Sequence, residues 1–531
     1  MATLRFDLAE LTANVPLESR AVLAASTVLI LLLSRWFFQG PHVPCELPWE
    51  GVRNEVFSGL RARIRHAKSG LSTFINGYQK FNKNGKAFLT QTLALGPVVV
   101  VPRSDFQWLF KQPKSTIVQP IELLHGELKQ YMIPYAPDGE YVHPSLPQAL
   151  RRLRHTLLWH RIAKAIDSTI GKIGACKTMT IEDMVSQIVA RAVVSIYLNE
   201  DLTDNNNFVH DFVRYNESFK YFPYPLCQYI PKILRPILVP LLAAQIRHRE
   251  RKALKTLFPL VKMQLDSPTE ESAEPSDLLS LHIQAVAKSS NPMDRDPYTI
   301  FGRFIMLSMG VTMPTMITTL TDVLQLLLAR PDAIEVIRQE AATANKNWTA
   351  RSISSMACSD SFLREVLRFK AYTGYGMTVI REVITPDGVR LPSMFKRSDP
   401  LPKGTRLVLP VDAIHRDGTI YQDANEFKPW RYVPKDQLEG GRPKIVVDSG
   451  SVEEADVKPR GNALPAVSDT FLAFGFGRDA CPGRFFAADF MKLFLAHLLL
   501  HYDIRPAVQI PETLNFHKIS AMEVRAITVE T

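Results

Sequence analysis

Between Phe474 and Phe486 the sequence reads FGFGRDACPGRFF, and no other stretch of the 531 residues limits the possible fold as tightly. Gly475, Gly477 and Gly483 permit backbone turns that other residues resist, so such a loop can bring several amide N–H groups close to one atom. Here that atom is the sulfur of Cys481. Immediately afterwards, Arg484 to His501 carries apolar residues at helical spacing: Phe485, Met491, Phe494, Leu495 and Leu498. A thiol at the start of a helix faces the positive end of the helix dipole and ionises more readily. Backbone donors around the sulfur tune its electron release. These features suit a metal-ligating cysteine. The other cysteines are Cys45, Cys176, Cys227 and Cys358. An odd total, with no two close in sequence, argues against a disulfide framework and against a CxxC zinc site, and it fits a reducing compartment.

The rest of the chain reads as one large helical body. Apolar residues make up 46% and charged residues 22%, ordinary globular proportions with ample material for a core. Amphipathic helical periodicity runs over 146–170, 180–198, 242–265, 298–330, 332–343, 360–370 and 483–501, while strand-like stretches are confined to 97–102, 377–384, 405–409 and 521–529. Residues 266–277 and 434–468 read as surface loops, and the aromatic-rich region 208–229 fits a roof over a substrate channel, a segment that dips into the membrane, or ordinary core. The formal net charge of +10 is spread along the chain, without Lys/Arg blocks interleaved with aromatics. That excludes a nucleic-acid reading and fits an acidic protein partner or an anionic membrane face.

Ahead of the body lies a candidate anchor. Residues 21–34 read AVLAASTVLILLLS without a charge. Extending the segment from Leu17 to Phe38, with the flanking charges snorkelling, gives the roughly 20 residues that a bilayer helix requires. Trp36, Phe37 and Phe38 form the interfacial aromatic group, and the later excess of Arg and Lys places the body on the cytosolic side. The expected organisation is a lumenal tail at 1–16, an anchor at 17–38 and a catalytic domain at 39–531.

FGFGRDACPGRFF resembles the haem-binding loop of the cytochrome P450 superfamily, particularly its fungal microsomal members. Phe474, Gly477, Cys481 and Gly483 match the superfamily's usual positions. The resemblance implies a mainly α fold with a minor β-sheet, a single catalytic domain, and haem b whose iron is ligated by Cys481, with Phe474, Gly477, Arg478 and Gly483 around it. Asp479 departs from the pattern, since the superfamily places there a basic residue that contacts a haem propionate. Two anions repel, so Asp479 must turn away, hold a proton or pair with a neighbour such as Arg478. Upstream, Glu365 and Arg368 in DSFLREVLR resemble the superfamily's Glu-x-x-Arg pair, and Arg431 in FKPWRY resembles its third member; their implied role is structural. By the same resemblance Arg381, and from an earlier helix Arg151, contact haem propionates.

The helix at 298–330 corresponds to the one that crosses the haem on the oxygen side. Thr315 matches the threonine that steadies bound dioxygen, Thr312 adds a second hydroxyl, and Pro314 replaces the usual acid or histidine. A proline in a helix interior removes a hydrogen bond, here leaving the Gly310 carbonyl without its donor, so the helix should open or kink. The resemblance implies a monooxygenase that oxidises an apolar small molecule (a terpenoid, polyketide or alkaloid intermediate of fungal secondary metabolism) with dioxygen and electrons from NADPH through NADPH–cytochrome P450 reductase. The location implied is the endoplasmic reticulum membrane. Arg478, Arg484 and Lys492 are the docking charges expected for that reductase. Two rival readings stand beside it: a haem-thiolate dehydratase or isomerase, motivated by Pro314, and a membrane-anchored haem carrier without turnover.

Overall fold

The computed structural model describes residues 46–527 except 94, 119–130, 132–148, 151–157, 172–176, 221, 223–226, 228–229, 231, 267–276, 345–347, 371–379, 396–397, 448–460 and 508–518. The tail and anchor expected at 1–38, and Arg151, lie outside the described residues.

Helices dominate, as the periodicity requires. In chain order the first are α1 (Ser58–Lys80), α2 (Phe106–Lys111), α3 (Leu158–Ile170), α4 (Ile181–Tyr197), α5 (Asn206–Lys220), α6 (Arg235–Leu242), α7 (Ala244–Asp266) and α8 (Leu278–Ala287). They are followed by α9 (Pro297–Ile305), α10 (Met313–Leu328), α11 (Pro331–Ala344), α12 (Ala350–Ser355), α13 (Ala357–Lys370), α14 (Val411–His415) and α15 (Arg484–His501). The strands are β1 (Trp49–Glu50), β2 (Phe88–Thr92), β3 (Gly96–Val100), β4 (Ile117–Val118), β5 (Lys177–Thr180), β6 (Ile380–Val383), β7 (Arg406–Val408), β8 (Leu438–Glu439), β9 (Arg442–Pro443), β10 (Tyr502–Pro506) and β11 (Ala521–Ala526). The largest sheet has the order β1-β2-β3-β7-β6-β4, and a second has β10-β11-β5. The first sheet joins the N-terminal part of the body to β6 and β7, which precede the chain that leads to the cysteine loop. β3 pairs parallel with β7, and β6 antiparallel with β7.

One apolar cluster joins the central helices. Ile162 and Ile166 of α3, Val185 and Ile188 of α4, Leu320 and Leu324 of α10, and Phe490 and Phe494 of α15 all belong to it. α4 is buried on almost every face along Ala190–Tyr197, the mark of a helix enclosed by others. The long run from Pro297 to Leu328 is the one described helical stretch apolar and long enough to cross a membrane, yet it is mostly buried inside the body. It is therefore the core helix of this fold.

That helix is interrupted. Residues Met306–Thr312 wind as a π-helix between α9 and α10. The Met313 N–H reaches back five residues to the Ser308 carbonyl. Pro314 then sits in the first turn of α10, where a missing N–H costs least. The expected break is thus a widened turn that restarts the helix at its proline. Gly310 and Val311 are exposed in the middle of a mostly buried helix, Val311 at 41%.

α13, which carries Glu365 and Arg368, is held at its start by α11. The carboxylate of Glu340, 1% exposed, accepts from the Cys358 N–H at 2.7 Å, the Ser359 N–H at 2.8 Å and the Ser359 hydroxyl at 2.6 Å. These are donors at the N-terminus of α13, where an anion is also favoured by the helix dipole. Glu340→Ala strands two buried N–H groups, each worth about 1–3 kcal/mol. We expect a loss of about 3 kcal/mol in urea-induced unfolding, and a loss under about 1 kcal/mol would show that α13 does not depend on this cap.

Candidate active site around Cys481

Glu365 is where the support of the cysteine loop begins. Its side chain and that of Arg368 are fully buried. They pair at two points, Nε to Oε2 at 2.7 Å and Nη2 to Oε1 at 2.8 Å, as residues three apart on one helix face can. Arg431 adds a third guanidinium contact, Nε to Glu365 Oε2 at 3.0 Å, and the Lys428 N–H donates to Oε1 at 2.9 Å. Arg368 also donates to the carbonyls of His415, Ala424 and Glu426, and Arg431 to those of Gln422, Asp423 and Glu426. The three residues that the motifs single out are therefore in contact, and through five backbone carbonyls, that of Glu426 shared by both arginines, they hold the irregular chain that precedes the cysteine loop.

Two residues that the sequence reading missed complete this support. Arg364, one position before Glu365, donates to the carbonyls of Ala463 and Ala466, and its guanidinium lies 3.7 Å from the Phe471 ring centroid. His415, fully buried, stacks on Phe471 and accepts from the Leu472 N–H at Nε2, 3.0 Å away. The spacing of Arg364 from Glu365 points to no partner, and His415 stands alone in sequence, so neither carried a signal.

The loop itself closes by a hydrogen bond from the Cys481 N–H to the Phe474 carbonyl, 2.8 Å. Gly475 and Gly477 have φ of 79° and 65°, the left-handed region that glycine adopts without strain. Gly477 also lies where a Cβ would come within 3.0 Å of Phe110 Cβ. Gly483 differs from expectation: its φ of −85° is ordinary, and it serves as the N-cap of α15 beside the sulfur. The backbone N–H groups of Gly483 and Arg484 act on the Cys481 sulfur, yet burial outweighs them and raises the thiol's pKa. The expectation of an easily ionised thiol is thus corrected, because desolvation penalises the thiolate more than the helix end stabilises it. Such a sulfur becomes a thiolate against the charge of a bound metal ion.

Asp479 accepts a hydrogen bond from Arg381 and forms a looser ion pair with Arg478, the neighbour expected to match it. Arg381 Nη2 donates to Asp479 Oδ2 at 3.1 Å, whereas Arg478 Nε stands 3.7 Å from Oδ1. Arg381 is only 4% exposed, and its guanidinium lies 4.9 Å from the Phe110 ring centroid. Arg478, half-exposed, donates to the Gln112 carbonyl. The edge where two cations were expected thus holds a cation already matched by an anion.

On the oxygen-side helix, Thr315 donates to the Val311 carbonyl at 2.8 Å and to the Thr312 carbonyl at 3.1 Å, so its proton is engaged by its own backbone. The Thr312 hydroxyl is 3.0 Å from the Tyr197 hydroxyl. Lys492, expected as a docking charge, is 2% exposed and pairs with Asp360 at 2.6 Å, so it is a core cation that cannot greet a partner.

Comparisons with known proteins agree with this architecture. The family model for cytochrome P450 matches residues 158–528. The chain is 26% identical over 513 residues to cytochrome P450 monooxygenase fsoD of Humicola fuscoatra, covering 88% of this chain and 89% of that one. It is 25% identical to cytochrome P450 monooxygenase lnaC of Aspergillus flavus, covering 94% of each. The solved structure of retinoic acid-bound cyanobacterial CYP120A1 superposes with a TM-score of 0.60 at 17% identity, covering 92% of this chain and all of that one. The described arrangement is that of a haem-thiolate oxidoreductase. The chain belongs to the cytochrome P450 family and is a monooxygenase.

The residues fit the family's cofactor. A sulfur enclosed at a helix start, with two amides directed at it, is a donor for iron, and the widened turn adds an accessible, uncharged stretch of the core helix. Haem ligated in this way supplies electron transfer and dioxygen activation. Cys481→Ala, reduced and exposed to carbon monoxide, is expected to lack the long-wavelength Soret band of a sulfur-ligated haem; retention of that band would place the ligand elsewhere.

The neutral His415 ring makes the site acid-sensitive. Burial first, then the guanidinium groups of Arg368 and Arg364, lower its pKa from 6.5 to about 3. Below 6.5 the unfolded chain takes up a proton that the folded one refuses, so this stability is complete above pH 6.5 and drains as the pH falls toward 3. His415→Gln is expected to flatten the pH dependence of urea unfolding across this interval by about one proton, or ~1.4 kcal/mol per pH unit.

Proposed function

We propose that this monooxygenase oxidises an apolar small molecule, a terpenoid, polyketide or alkaloid intermediate of fungal secondary metabolism, with electrons from NADPH delivered by NADPH–cytochrome P450 reductase at the endoplasmic reticulum membrane. Cys481 ligates the iron, with Phe474, Gly477, Arg478 and Gly483 shaping its loop; Glu365, Arg368 and Arg431 fix the support. Arg381 and Arg151 serve the propionate edge. Thr312 orients dioxygen and protons, and Thr315, whose own proton is held by the backbone, contributes its hydroxyl oxygen as an acceptor. The carrying observation is the opened turn at Met306–Thr312: it presents Gly310 and Val311, uncharged and accessible, in the middle of the core helix. A charged substrate would find no counter-ion on that turn, whereas an apolar one loses nothing by leaving water there.

Membrane residence is supported by a second surface. Ile233, Ile237 and Leu241, on α6 and the turn before it, are 83%, 62% and 67% exposed. Three such side chains along one short segment form an apolar face suited to the lipid interface, working with the anchor at 17–38. On the partner side Arg478 remains half-exposed and available to an acidic reductase, while Lys492 does not.

Pro314 gives the dehydratase or isomerase reading its one specific support, since no acid stands beside Thr315. Net oxygenation separates the two. Purified protein with reductase and a metabolite extract of its source is expected to consume NADPH in step with a product heavier by one oxygen atom, derived from labelled dioxygen. A transformed product formed without NADPH or dioxygen would establish the rival reading.

A further inference from the structure

One buried phenol touches both the helix that follows the cysteine and the opened turn of the core helix. Tyr197 closes α4 and is 1% exposed. Its ring centroid lies 6.0 Å from that of Phe486 on α15, and its hydroxyl lies 3.0 Å from that of Thr312. Because α4 is enclosed along this stretch, the phenol has no route to solvent, and its position relative to both helices is set by packing.

The hydroxyl inventory of the turn leaves Thr312 in a special place. The Ser308 hydroxyl turns back to the Phe304 and Ile305 carbonyls. The Thr315 proton goes to its own backbone. The Ser308 carbonyl, four residues before Thr312 and its natural acceptor, already receives the Met313 N–H. Thr312 is therefore the hydroxyl of this turn whose partner comes from another helix, and Pro314 contributes no proton at all.

We propose that Tyr197 is a positioning residue: its phenol donates to the Thr312 oxygen and so turns the Thr312 proton outward, toward dioxygen and its reduction products, in the role that an acid at position 314 would otherwise fill. Burial raises the phenol's pKa above its usual value, so the phenol keeps its proton throughout the working pH range. The chemistry it steers is a partition. Two electrons and two protons take dioxygen to hydrogen peroxide, whereas four of each take it to two waters. A hydroxyl whose proton points toward dioxygen would favour the four-electron outcome, and one whose proton points away would favour release of peroxide.

This inference rests on reading Met306–Thr315 as the oxygen-facing segment, but not on the substrate or the electron donor. The haem-loaded full chain is adsorbed on a rotating ring–disc electrode in air-saturated buffer, so that the electrode supplies the electrons and the ring counts peroxide. Tyr197→Phe, which removes only the hydroxyl, is expected to raise the peroxide fraction severalfold. Thr312→Val should do the same, the double variant no more than the larger single, and Thr312→Ser should restore the wild-type fraction. An unchanged fraction in Tyr197→Phe, additive effects in the double variant, or a shift in the urea midpoint alone would each overturn the proposal. Absence of oxygenated product in the reductase experiment would instead strike the monooxygenase reading.

Discussion

The carboxylate of Glu365 is the interaction on which the site depends. Fully buried, it is shared between Arg368 and Arg431, and the two guanidinium groups spend their remaining donors on backbone carbonyls of an irregular segment. A buried ion pair contributes little net stability once desolvation is counted, but removing one partner costs about 3–5 kcal/mol because a bare charge is left inside. The arrangement therefore acts as a register lock. It makes one conformation of the chain before the cysteine far better than any other, and Arg364 and His415 extend the lock to Phe471 and Leu472. The loop that positions Cys481 begins two residues later.

Charge is distributed sparingly around that loop. Arg381 is matched by Asp479, Lys492 by Asp360, and the cysteine's thiol is raised by burial. The opened turn on the other side carries hydroxyls and no carboxylate. At a site of this kind the charge of a bound iron would be the dominant local field and would hold the sulfur as thiolate, while the uncharged surroundings suit an apolar guest. The same economy makes hydroxyl orientation matter, since no strong acid is present on the turn to deliver protons by default.

Much of this was legible in the residues. The helical periodicity located α4, α7, α11, α13, α15 and the continuous run of α9, the π-turn and α10 to within a few residues, with the run at 146–170 described as helix α3 from Leu158, because apolar spacing at 3.6 residues has one stable use in a large core. α1, α5 and α8 were among the helices that went unread, α1 because its mean hydropathy is low and α8 because it is apolar on nearly every side. Pro314 announced a break, since a proline cannot donate whatever surrounds it. Its form, a π-turn, depended on the neighbours that hold α9 and α10 in line. Lys492 looked like a surface cation because charge on a helix usually faces water, and only the approach of Asp360 from α13 reversed that.

By itself the sequence determined the local chemistry: which residue offers a thiol at a helix start, which glycines allow the loop its left-handed turns, which carboxylate and guanidinium share a helix face, and where the core helix must lose a hydrogen bond. Those are short-range consequences of covalent structure. Tertiary structure alone decided which distant groups meet: Asp479 with Arg381, Tyr197 with Thr312, His415 with Leu472, Glu340 with the start of α13. Each of these pairs joins residues from separate elements, brought together by the burial of apolar faces that are indifferent to the polar groups they carry inside. Partners at such separations leave no periodic trace in one chain, so packing had to reveal them.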